Sequence, residues 1–80
     1  MCTYITVKVD TEGSGKGTEG WFPLTETTVY FDHPVHAMAE HTLNIDFVDD
    51  GGSRVAVELS AESARALVGS IEAALKAAGS

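Results

Sequence analysis

The 80-residue sequence predicts an α+β fold, in which a four-stranded antiparallel sheet is followed by one C-terminal helix packed on one face (ββββα). Three observations predict it. Four short segments alternate apolar and polar residues, which is the period of a half-buried strand. Turn-forming residues separate these segments. The last segment instead repeats its apolar residues every three or four positions, which is the period of an amphipathic helix.

The first strand is predicted over residues 4–9, where Ile5, Val7 and Val9 alternate with polar side chains. Residues 10–20 contain four glycines and show no periodicity, so they are expected to form a loop. Three large apolar residues follow as packing anchors, and the proline among them discourages regular structure there. These are Trp21, Phe22 and Leu24, with Pro23.

The other three strands are predicted over residues 27–33, 41–48 and 54–59, with a turn at residues 49–52. Their inward side chains are Val29, Phe31, Leu43, Ile45, Phe47, Val55, Val57 and Leu59. The opposite face is polar enough to be solvated, and it could also form half of a homodimer interface. It carries Thr6, Lys8, Thr28, Tyr30, Asn44, Asp46, Arg54 and Glu58. Sequential strands usually lie side by side, so a meander is expected.

The helix is predicted from Ser60 to Ala78. Ser60 is a good N-cap, Glu62 and Lys76 suit the two ends of the helix dipole, and Gly79 ends the helix. One apolar stripe is expected to cover the inward face of the sheet. The stripe consists of Ala64, Leu67, Val68, Ile71, Ala74, Leu75 and Ala78.

The composition of the chain argues against several classes of function. Twelve acidic against five basic residues give a formal charge of −7, which disfavours binding to nucleic acid or to anionic membranes. The single cysteine excludes a disulfide within the chain and suits a reducing cytoplasm. No apolar stretch approaches the ~20 residues of a membrane span, and the N-terminus lacks the pattern of a signal peptide. A cytoplasmic protein with one domain over residues 1–80 is expected.

Small size favours self-association. A domain of this length buries only about 60% of its unfolded surface and is marginally stable. A sheet with one helix leaves a face or an edge that needs protection. The sequence therefore predicts a homodimer.

Side chains that could bind a metal or transfer a proton are concentrated in residues 32–41, which contain all three histidines of the chain. If the flanking strands form a hairpin, His33 and His41 close its ends on one face, and His36 could turn in from the connection. Three imidazoles with an open fourth position describe a catalytic zinc site. These histidines therefore predict a site for zinc or iron, with Glu40 or Asp32 as proton acceptor of a metal-bound water. The alternative is that the histidines are structural and only make hydrogen bonds.

Two further features carry weaker chemistry. Cys2 could act as a nucleophile or chelate a metal if Met1 is removed, because its thiol would then lie beside a free amine. A small residue in a strand is the alternative. Residues 13–18 look like the end of a phosphate-binding loop, but Asp10 and Gly17 stand where that motif needs a glycine and a hydroxyl residue, so nucleotide binding is not expected.

Several motifs together resemble, over nearly the whole chain, a family of short actinobacterial proteins of unknown function. They are MCTYIT, GSGKG, GWF, DHPVH and EHTLNIDF, together with the alanine-rich C-terminal helix. The resemblance implies no activity. Two hypotheses about function follow from the residues: a metal-binding protein that uses His33, His36 and His41, with or without enzymatic activity, or a metal-free homodimeric interaction module with structural histidines.

Overall fold

The computed structural model describes residues 5–32 and 41–80. Along the chain, the elements are β1 (Ile5–Gly17), β2 (Gly20–Asp32), β3 (Thr42–Val48), β4 (Arg54–Leu59) and α1 (Ala61–Ala77). The strands form one sheet in the order β1-β2-β3-β4, and each neighbouring pair is antiparallel. The α+β fold class, the meander and the single C-terminal helix are confirmed.

The strand register places the predicted inward residues on one side of the sheet, because directly paired residues share a face. Three rows cross all four strands, and we call their twelve residues the apolar face. The rows are Ile5-Phe31-Leu43-Leu59, Val7-Val29-Ile45-Val57 and Val9-Thr27-Phe47-Val55. The residues between them in sequence form the opposite, polar face.

The prediction of a loop over residues 10–20 is wrong. β1 continues to Gly17, and only Thr18 and Glu19 connect it to β2, with a one-residue bulge between Asp10 and Gly13. The glycines make room for side chains of the facing strand. A Cβ at Gly15 would lie 3.0 Å from Leu24 Cδ2, and one at Gly17 would lie 3.3 Å from Phe22 Cε1.

The proline expected to discourage regular structure lies inside β2, where Pro23 pairs with Ser14 of β1. β3 pairs with β2 only between Glu26 and Asp32. At Pro23, β2 therefore has a neighbouring strand on one side only. The missing N–H of a proline is tolerated at such an edge position.

The helix boundaries agree with the prediction to within one residue. The Ser60 hydroxyl accepts a hydrogen bond from the Ser63 backbone N–H at 3.1 Å, so Ser60 is the N-cap. Glu62 lies in the first turn and Lys76 in the last, where each suits the helix dipole. Gly79 follows the C-cap with φ +83°, a conformation that favours glycine.

The helix covers less of the sheet than expected. Its first turns lie over the apolar face, where Ala61, Ala64 and Arg65 line a shallow pocket with Phe31 and Leu43. Beyond Ala64 every residue of α1 is exposed. Helical periodicity identifies the apolar side of a helix but does not specify what packs against it, so this difference could emerge only from the structure.

Candidate interaction surface

The apolar face is open at its β1 edge. Ile5 is 63% exposed, and Val7 and Val9 are each more than half exposed. β1 is an edge strand and pairs only with β2. The three side chains therefore form an apolar strip along one border of the sheet, with nothing from α1 over them.

The second exposed apolar surface is the stripe of α1. Leu67, Val68, Ile71 and Leu75 are each between 43% and 56% exposed. At 100° per residue they lie on the same side of the helix as Ala64, which faces the sheet. The stripe begins against the apolar face and continues into solvent.

The total surface area and the radius of gyration of the chain both exceed those of a compact domain. Within residues 5–32 and 41–80, no hydrophobic residue is fully buried. The accessible surface is 5995 Å², whereas a compact monomer of 8.4 kDa is expected to expose about 4,600 Å². The radius of gyration is 13.7 Å, against about 11.6 Å for a compact domain of this length. The chain therefore exposes about 1,400 Å² more than a compact monomer would.

The fully buried residues of the described chain are polar: Thr27, Thr42 and Asn44. Thr42 and Asn44 belong to β3, an interior strand, and the expectation of a solvated polar face is wrong at Asn44, which is 4% exposed. The Thr42 hydroxyl donates to Asn44 Oδ1 at 2.7 Å. On the apolar face, Thr27 exchanges a hydrogen bond with the Thr11 hydroxyl at the β1 bulge.

Charge is segregated from the apolar face. None of its twelve residues is acidic or basic. The polar face carries an ion pair between Arg54 Nε and Asp46 Oδ1, which lie 3.6 Å apart. Desolvation by burial, followed by the negative charge of Asp46, raises the pKa of Tyr30 on this same face. The twelve positions of the apolar face therefore carry no charge of their own, and Arg65 of α1 lines the pocket beside Phe31 and Leu43.

The predicted metal site is described only in part. His33, His36, Glu40 and Cys2 lie outside the described residues. The His41 ring is stacked on Phe31, with 5.7 Å between ring centroids, which places it on the apolar side as strand parity predicted.

Asp32, one of the predicted proton acceptors, pairs with Thr42 and so lies on the polar side, away from His41. Among the described residues, no group of three His, Cys, Asp or Glu side chains could hold a metal.

Sequence reasoning missed an open pocket of about 630 Å³ at the other end of the sheet. It lies between the β1–β2 and β3–β4 turns, and its lining includes Trp21 and Arg54. Trp21 is 71% exposed. Asp49 Oδ1 shapes the second turn by accepting hydrogen bonds from the Gly51 and Ser53 backbone N–H groups. The glycine-rich turns were visible in the sequence, but their proximity depends on strand pairing.

The fold and the exposed surfaces define a small α+β protein with an antiparallel meander and a partly unpartnered amphipathic helix. The chain belongs to a family of unknown function, DUF6295, which matches residues 1–80. The expected resemblance to a family of short proteins without assigned function is thereby confirmed. No curated protein and no solved structure matches the chain.

The part of the chain that the structure describes contains no helix long and apolar enough to cross a membrane.

Proposed function

We propose that this protein is a non-enzymatic homodimeric interaction module, assembled through the apolar face of the sheet and the apolar stripe of α1. The observation that carries this proposal is that seven large apolar side chains of β1 and α1 are each between 43% and 63% exposed. A stable protein–protein interface buries about 800 Å² per partner. The total accessible surface of the chain exceeds that of a compact monomer by about 1,400 Å², which is more than one partner contributes to a standard dimer interface.

The distribution of side chains supports the same proposal. Exposed apolar patches of this extent on a small protein mark interaction sites. Both patches are built on regular elements, β1 and α1, and not on loops. The charge-free apolar face allows a second acidic copy to approach without bringing like charges together.

The test is the mass of the untagged protein in solution, measured by light scattering at micromolar concentration. The proposal expects twice the chain mass of 8.4 kDa. A mass near one chain across the accessible concentration range would contradict it. A cytoplasmic location is part of the proposal, because the single cysteine suits a reducing compartment. Cell fractionation tests it.

A metal site formed by His33, His36 and His41 is the second candidate function. It is favoured by the stacking of His41 on Phe31, which holds the imidazole near the ends of β2 and β3, where the hairpin-mouth site was predicted. Zinc or iron suits three imidazole ligands. The two candidates are compatible, since the apolar strip of β1 and the helix stripe contain none of these histidines.

A further inference from the structure

We infer that two copies exchange helices, so that α1 of each copy lies across the exposed β1 strip on the apolar face of the other. This inference rests on the proposed homodimer and specifies its interface. Among the described residues, the helix stripe and the strip of β1 are two groups of neighbouring exposed apolar side chains, and in a reciprocal arrangement each covers the other.

The position of α1 explains why this helix does not cover the whole apolar face of the sheet in its own chain. The helix begins one residue after β4, and β4 and β1 are the opposite edges of the sheet. Its first turn rests on Leu43 and Phe31 of the two central strands. The next turns leave the surface before they reach Val7, which remains exposed.

The two surfaces match in length. From Leu67 to Leu75 the stripe extends about 12 Å along the helix axis at 1.5 Å per residue. From Ile5 to Val9 the strip of β1 extends about 14 Å at 3.4 Å per residue. One helix can therefore contact the whole strip.

The arrangement is also self-limiting. A two-fold interface uses the same patches on both subunits, so a second copy covers both the strip of β1 and the helix stripe of the first, and neither is left for a third copy. The charged side chains of α1, among them Glu72 and Lys76, lie on another side of the helix and stay in solvent. A closed dimer is expected and not an open chain of molecules.

Disulfide trapping between two single-cysteine variants tests the exchange. Both variants carry Cys2→Ser, so that the only thiol is the introduced one. One contains Val7→Cys on the β1 strip, and the other contains Ile71→Cys on the helix stripe. Mixed and oxidised, they are expected to give mainly the Val7→Cys to Ile71→Cys product, because a disulfide requires Cβ atoms about 4 Å apart.

Matched controls use the opposite sides of the same elements. Lys8→Cys replaces Val7→Cys on the polar face, and Ala73→Cys replaces Ile71→Cys on the outer side of α1. Either replacement is expected to reduce the mixed product at least tenfold. Circular dichroism verifies folding, and Val9→Cys with Leu67→Cys is the second pair if the first fails to fold.

The products separate this inference from the proposed function. A dimeric mass with mainly Ile71→Cys homodisulfides would mean that the helices pack on each other, which overturns the exchange and leaves the homodimer standing. Mainly Val7→Cys homodisulfides would indicate pairing of β1 edges and also overturn it. A monomeric mass would overturn both proposals.

Discussion

The imidazole ring of His41 is stacked on the phenyl ring of Phe31, with 5.7 Å between ring centroids and 19° between ring planes. The contact joins the residue before β3 to the penultimate residue of β2. It holds one predicted metal ligand beside the apolar face. The proposed metal site and the proposed interface therefore both adjoin this end of the sheet, and each can be tested separately.

Metal binding is expected to raise the melting temperature, because metal held only by the folded chain adds its binding free energy to stability. Elemental analysis of untagged protein is expected to find one equivalent of zinc or iron per chain. The variants His33→Ala, His36→Ala and His41→Ala are each expected to lose the metal and the melting shift. Phe31→Leu removes the stacking partner of His41 and keeps all three histidines, so it is expected to retain the metal with lower affinity. Negligible metal, with no shift on adding zinc, iron, nickel or copper, would refute the metal site.

The variant Ile71→Glu is expected to weaken the dimer at least about tenfold, because it places a carboxylate in a desolvated apolar interface. Ile71 is 50% exposed in a single copy, so the fold of the protomer is expected to survive. Ala73→Glu adds the same charge on the outer side of the helix and is expected to leave the association constant unchanged. Sedimentation equilibrium measures both constants. Equal effects of the two substitutions would argue against the stripe as an interface.

Gly15→Val is expected to lower the free energy of unfolding by about 1–3 kcal/mol, because overpacking forces neighbouring side chains out of place. Even the first added carbon would lie 3.0 Å from Leu24 Cδ2 and 3.6 Å from Phe22 Cζ. Gly13→Val is the control, since a Cβ there meets nothing within 4 Å. Urea unfolding compares the two variants. If both variants lose the same free energy of unfolding, the glycines are needed for backbone flexibility and not for packing.

Stability is expected to fall as the pH rises above about 10, the ordinary pKa of tyrosine. Burial, followed by the charge of Asp46, raises the pKa of Tyr30 in the folded state. The folded chain then holds this proton more tightly than the unfolded chain. The contribution of Tyr30 to the free energy of unfolding is complete below the pKa that it has in the unfolded chain. This contribution is lost as the pH rises through the pKa that Tyr30 has in the folded chain. Tyr30→Phe is expected to flatten the decline in melting temperature, and an unchanged decline would assign it to other groups.

Only part of the candidate site could be predicted from the sequence. Strand parity correctly placed His41 on the side of Phe31, because side chains alternate strictly along a strand. Helical periodicity gave no reason to expect that Leu67 or Ile71 of α1 would stay exposed. Strand parity also could not bring Trp21 and Arg54 to one pocket, since that proximity depends on how far the first hairpin extends.

The sequence by itself determined the order and type of the elements, the apolar residues of each strand and the ends of the helix, because these follow from local periodicity and capping. Only the tertiary structure decided that residues 10–17 pair with β2 and that α1 leaves the sheet after Ala64. Glycines such as Gly15 predict a loop when considered alone, but Gly15 pairs with Phe22 in the sheet, and the side chain of Leu24 occupies the space beside it. The reason is general: pairing and cover depend on contacts between residues far apart in the chain, which no local pattern contains.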